Sequence, residues 1–122
     1  MKVIDKFCLA IEKMEGYYKG SRSYRNKNCG NLRYIGQKLA IGKDKDGFAI
    51  FKTYQDGYNT LKMMVYNACA GKSKIYSPTM TIAQFFALFA PASDKNDPNH
   101  YAITVANACG LPVTTPIKNL LT

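Results

Sequence analysis

A chain of 122 residues, 47% of them hydrophobic, is long enough for one domain with a real core and too apolar to be disordered. Seventeen Lys and Arg against eight Asp and Glu leave a net charge of +9, which favours a polyanionic partner: nucleic acid, an anionic membrane or a bacterial cell wall. No apolar run reaches the roughly 18 residues needed to span a bilayer, and four cysteines without CxxC spacing, with a single histidine, do not make a zinc site.

The first element is a helix over residues 3–15. Its apolar residues fall at 3, 4, 7, 8, 11 and 14, a helical period, and Gly16 supplies the C-terminal stop. It carries the only two glutamates, Glu12 and Glu15. At roughly 100° per residue, Glu15 projects between Ile4 and Cys8, inside the apolar arc, and Glu12 projects towards Asp5 at the polar edge. Glu12 is therefore expected to be a solvated surface acid. Glu15 meets desolvation and the negative end of the helix dipole, both of which disfavour its ionised form. A carboxyl group kept protonated in this way is what a general acid in glycoside cleavage requires. The same position also suits an acid paired with a nearby cation, Arg22 or Arg25.

A loop follows from Tyr17 to Tyr34, rich in Gly, Ser, Asn and Tyr. Its first part holds Lys19, Arg22, Arg25, Lys27 and Arg33 and no acid, the densest basic stretch of the chain. Asn26, Asn28, Gly30 and Asn31 tolerate left-handed backbone and bond their own main chain, as in an ordinary turn; asparagine amides can equally bond the hydroxyl and acetamido groups of a sugar. Residues 37–41 and 48–51 read as the strands of a β-hairpin with turn chemistry between them, and Asp44 and Asp46 decorate its tip. The Asp-x-Asp-Gly pattern lacks the remaining ligands of a calcium loop.

Thr53 to Asp56 forms a capping-box-like start for a helix reaching about Ala70, with Tyr54, Tyr58, Leu61, Met64, Val65 and Ala68 on its inner face and Gly71 as its stop. Gly71-Lys72-Ser73 lacks the first glycine of a phosphate-binding loop, since Tyr66 stands there. Thr81 to Gln84 opens a helix through Phe89 whose aromatics belong to the core. Asp97-Pro98 starts another, over residues 99–109, ended by Gly110, and Thr115-Pro116 starts a short last one. His100, in a first helical turn, reads as a surface residue. Cys8, Cys69 and Cys109 sit in apolar helical contexts and read as buried free thiols, with one or two disulfides left open. The sum is a single α+β domain, mostly α, with about five helices and one hairpin.

These residues together resemble a known group. The order is helix-Glu15-Gly16, a Tyr/Gly/Ser loop, Arg25-Asn-Lys-Asn-Cys-Gly-Asn-Leu-Arg33, Phe48-Ala-Ile-Phe51 with Asp56-Gly-Tyr58, Thr81-Ile-Ala-Gln-Phe85 with Phe89-Ala-Pro91, and a late tyrosine-bearing helix. It is similar to the small lysozyme-like peptidoglycan hydrolases of bacteriophages, in the wider lytic transglycosylase/lysozyme superfamily, from Ile11 to about Ile117. The resemblance implies a lysozyme-like fold over residues 1–122 and cleavage of the β-1,4 bond between N-acetylmuramic acid and N-acetylglucosamine, with Glu15 as catalytic acid. It implies that Asn28, Gly30 and Asn31 shape the cleft floor, and that Tyr24 and Tyr101 belong with them to the substrate-binding set. One departure is Cys29, where the family usually has proline.

Few second carboxylates are in view, Asp44, Asp46 and Asp56 having other roles, and this favours the anhydro-forming route over hydrolysis. Neither route requires a metal or cofactor. The implied partner is the glycan strand of peptidoglycan, with no nucleic acid and no integral membrane segment, for a monomer or a virion component. The absence of a recognisable signal peptide fits a protein held in a phage virion or host cytoplasm that acts on the wall in the periplasm. Two alternatives stay open: a basic nucleic-acid-binding module using Tyr17 to Arg33, and a virion protein with a lysozyme fold but no activity.

Overall fold

The computed structural model describes residues 1–122. In chain order it forms α1 (Val3–Met14), α2 (Arg22–Arg25), β1 (Ala40–Lys43), β2 (Ala49–Phe51), α3 (Tyr54–Cys69), α4 (Ile82–Phe89), a 3-10 turn (Ala92–Asp94), α5 (Pro98–Cys109) and a closing 3-10 helix (Ile117–Leu121). This is an α+β chain, mostly helical, with one antiparallel two-stranded hairpin. No helix is long and apolar enough to cross a membrane.

The chain gathers into two compact units, residues 11–63 and residues 1–10 with 64–122. In the latter, the core is aromatic. Phe7 packs on Phe86 at 5.5 Å and Phe85 at 5.6 Å between ring centroids, and Tyr101 stacks on Phe86 at 4.6 Å. The ends of the elements follow from their caps. The Thr81 hydroxyl accepts from the Gln84 amide while the Gln84 side chain accepts from the Thr81 N–H, closing a capping box on α4. Asp97 caps α5 through the His100 N–H ahead of Pro98, and Gly110 ends it in the left-handed conformation, φ +69°. Ile117 and Leu120 bury the closing 3-10 helix, the short last helix expected after Thr115-Pro116.

In residues 11–63, Ile11, Cys29, Ala49, Phe51 and Leu61 make the core. The hairpin register pairs Ala40 with Phe51 and Gly42 with Ile50, so Ile41 is the extra residue of a bulge. The first strand therefore lies at 40–43 rather than at the expected 37–41. Gln37 is the reason: its side chain accepts from the Ile35 N–H and donates to the Arg33 carbonyl, spending those residues on a turn. Tyr54, expected on the inner face of α3, is 37% exposed, whereas Leu61, Val65 and Ala68 are fully buried.

Candidate functional site

The site is built within residues 11–63, at the end of α1. The Glu15 N–H still donates to the Ile11 carbonyl (2.8 Å), and Gly16 then turns the chain at φ +68°. Glu15 is half-buried there. The chain returns at once: Ser21 caps α2 by accepting from the Tyr24 N–H, and buried Ser23 directs its hydroxyl at the Glu15 and Gly16 carbonyls, 3.4 Å from each. Arg25 closes the loop by donating to the Gly20 carbonyl at 2.9 Å. A one-turn α2 is thus tied to the end of α1, and it carries Tyr24 into the site.

The asparagine loop is held by its own amides. Asn28 is fully buried; its Nδ2 donates to the Leu32 and Ala49 carbonyls and its Oδ1 accepts from the Leu32 N–H, all at 2.9 Å. Its amide is spent on the fold, so it shapes the loop without offering an atom to a ligand. Asn26 donates to Asp44 Oδ2 at 3.0 Å. Gly30 lies so close to α3 that a Cβ would come within 2.9 Å of Leu61. Asn31 takes a positive φ of 48°, and its Oδ1 is buried with no hydrogen-bond partner, an acceptor left available beside the loop.

Glu12 is not the solvated acid its helical position suggests. It is half-buried, its Oε1 accepts from the Tyr54 hydroxyl at 2.5 Å, and it lies beside the Cys29 thiol. The start of α3 and the asparagine loop cover this side of α1, which no projection of α1 alone can show. Burial, followed by the adjacent Glu12 carboxylate, pushes the Cys29 thiol up to about 12. Burial and then its own hydrogen bond to Glu12 raise the Tyr54 phenol, and burial followed by Cys29 and Glu12 raises Tyr17. All three stay protonated at neutral pH.

Around this carboxylate four tyrosines form a row. Tyr24 and Tyr17 are 5.2 Å apart between ring centroids, Tyr17 and Tyr54 5.4 Å, and Tyr54 and Tyr58 6.1 Å. Tyr24 and Tyr54 are exposed and Tyr17 and Tyr58 half-buried, so the row presents aromatic surface with hydroxyls at its edges. Comparisons with protein-family models, curated proteins and solved structures gave no match. The site is therefore read from its chemistry alone.

Of the residues expected in the site, Glu15, Tyr24, Asn28, Gly30 and Asn31 fall within residues 11–63. Tyr101 lies in the other unit, buried between Phe86 and Phe89. Sequence reasoning missed Glu12, Tyr17 and Tyr54 as site residues, although the four tyrosines between 17 and 34 were a signal. Asp44 and Asp46 hold the hairpin to α2. Arg22 meets Asp46 at 2.7 Å and Asp44 at 3.7 Å, and the Arg22 and Arg33 guanidiniums lie 4.5 and 4.6 Å from the Phe48 ring centre. No group of three or more His, Cys, Asp or Glu could hold a metal ion. The four cysteines are free and buried.

Proposed function

We propose that the chain is a peptidoglycan-degrading glycosidase that cleaves the β-1,4 bond between N-acetylmuramic acid and N-acetylglucosamine, with Glu15 as general acid and base. The observation that carries this reading is a half-buried glutamate at the end of α1, one turn after Glu12, whose carboxylate meets the Tyr54 hydroxyl in a partly exposed row of tyrosines. Aromatic rings with hydroxyls at their edges suit sugar rings, which have an apolar face and a polar rim. In this mechanism Glu15 donates its proton to the glycosidic oxygen as the C1–O bond breaks, and positive charge develops at C1. Either water or the muramic 6-hydroxyl then attacks C1 and returns its proton to Glu15. The first gives a reducing end, the second a 1,6-anhydro end.

The carboxylates near the loop do not offer an obvious second catalyst. Asp44 and Asp46 are bound to Asn26, Arg22 and backbone N–H groups, and Glu12 is engaged by Tyr54 and Cys29. This supports the anhydro-forming route. The rival reading, a nucleic-acid module, would draw on Arg22, Arg25 and Arg33, which are occupied by Asp46, the Gly20 carbonyl and Phe48. The test is digestion of purified peptidoglycan by the natural chain and by Glu15→Gln, with mass spectrometry of the soluble products. Anhydro-muropeptides released only by the natural chain are expected. Release of no fragment, or equal release by Glu15→Gln, would overturn the proposal.

A further inference from the structure

The loop and strand leading into the hairpin expose apolar side chains that the fold does not use. Ile35 is 82% exposed and Ile41 67%, with Tyr34 and Leu39 also exposed beside them in sequence. These side chains are displayed by fixed backbone. The Tyr34 N–H donates to the Gly47 carbonyl, Gln37 clamps Ile35 and Arg33, and the Ala40 N–H returns to the Gln37 carbonyl. Ile41 is turned outward by the bulge between Ala40 and Gly42. A β-branched residue at an exposed bulge on an edge strand is a feature that water-facing edges normally avoid.

The charge around this surface is mainly positive, and Asp46, the exposed carboxylate at its edge, is paired with Arg22. Lys38, Lys43 and Lys45 are exposed, and residues 17–43 contain seven Lys and Arg and no acid. The nearest carboxylate, Asp44, is turned inward onto Asn26 and the Asp46 and Phe48 N–H groups. Aliphatic tips need an apolar phase, a tyrosine favours the boundary between that phase and water, and lysines reach anionic headgroups with their stems lying along apolar surface. A soluble polyanion would satisfy the lysines and leave the isoleucines in water.

We propose that residues 34–45 form a docking surface for an anionic lipid bilayer, with Ile35 and Ile41 entering the acyl boundary and Lys38, Lys43 and Lys45 meeting the headgroups. This does not depend on the glycosidase reading. The chain contains no tryptophan, so single Ile35→Trp and Ile41→Trp variants report their own surroundings without background. Their emission is expected to shift to the blue on addition of phosphatidylcholine vesicles containing roughly a third phosphatidylglycerol, and not with pure phosphatidylcholine or with heparin. Ile103→Trp, at an exposed position of α5, serves as the control and is expected to stay unshifted. In the otherwise natural chain, the double change Ile35→Asn and Ile41→Asn should weaken co-sedimentation with the anionic vesicles by more than about tenfold, since two aliphatic side chains lose their transfer from water. Unchanged thermal unfolding would show that the double variant is folded. The proposal is overturned by the absence of a shift at positions 35 and 41, or by an equal shift at 103. Co-sedimentation indifferent to the double change would overturn it too, as would a blue shift that grows with protein concentration in the absence of lipid, which would mean that a second copy covers the surface.

Discussion

Glu12 and Glu15 lie one turn apart on α1 and both are half-buried, although the period of α1 turns only Glu15 towards its apolar side. The position of Glu15 follows from the helical period and from Gly16; that of Glu12 depends on Tyr54 and Cys29, which arrive from α3 and from the asparagine loop. Periodicity describes one helix, and a hydrogen bond between residues 42 apart in sequence lies outside it. Tyr54→Phe keeps the ring and removes the hydroxyl, so Glu12 loses a charge-assisted hydrogen bond. Because Tyr54 is partly exposed, water replaces much of it, and urea unfolding should show a loss of about 1 kcal/mol. The thiols make a second test. Cys29 and Cys69 are each pushed up to about 12, Cys69 by burial alone, and Cys109 is raised in the same direction by burial. The folded values of these three thiols lie above the ordinary 9.0, so the stability carried by the neutral thiols is complete below that value and is lost as pH rises towards about 12. At a pH of roughly 8 a thiol-specific disulfide reagent should find almost no reactive group in the native protein and all four cysteines after denaturation. Rapid reaction of the native protein would contradict the burial of these side chains.

At the scale of elements, the helices were legible and the short pieces between them were not. Thr81 with Gln84, Asp97 with Pro98, and Gly16, Gly71 and Gly110 mark helix ends by local chemistry, and the elements begin and end close to them. α2 is a single turn, too short for any period, and only Ser21 as its cap hints at it. Residues 37–41 read as strand, but the turn made by Gln37 and the bulge at Ile41 displace the pairing. What fixes this region is Asn28, and removing its amide is expected to be severe. Asn28→Ala leaves the Leu32 N–H without its acceptor and takes one donor each from the Leu32 and Ala49 carbonyls around a fully buried side chain, and a loss of about 2–4 kcal/mol in urea unfolding is expected. Gly57, inside α3, shows the same tightness. A Cβ there would sit 2.0 Å from the Lys27 carbonyl oxygen, which is backbone and cannot step aside, so Gly57→Ala should destabilise despite alanine's better helix propensity. The hairpin also carries a pH dependence. The Asn26 side chain and then the Phe48 N–H hold the Asp44 carboxyl below its ordinary 3.8, with Arg22 adding to the effect. A lowered value means stability present above 3.8 and lost as pH falls through the folded value. The thermal midpoint should fall as the pH drops below about 4, and fall less in Asp44→Asn.

For the whole molecule, the charge of +9 was legible from composition, and its consequence is kinetic and associative rather than architectural. The basic residues are distributed along the chain, with an acid-free run from Tyr17 to Lys43 that includes both the tyrosine row's Tyr17 and Tyr24 and the lysines beside Ile41. If the proposed glycosidase acts on an anionic wall, the field of this run gathers the enzyme onto its substrate before any sugar reaches the site. That contribution operates through water and is therefore screened: the Debye length shrinks from about 10 Å at 0.1 M salt to about 3 Å at 1 M. The contacts within the site act at hydrogen-bond and ring-stacking distances and are screened far less. The two contributions can therefore be separated with one enzyme and two substrates. Turbidity clearing of intact, polyanionic cell walls should slow several-fold as salt rises over that range. Cleavage of a short, soluble and uncharged N-acetylglucosamine oligomer, if it is turned over, should change little. Equal salt dependence on both substrates would place the sensitivity in the site itself, and indifference of wall clearing to salt would show that the net charge has no part in reaching the wall.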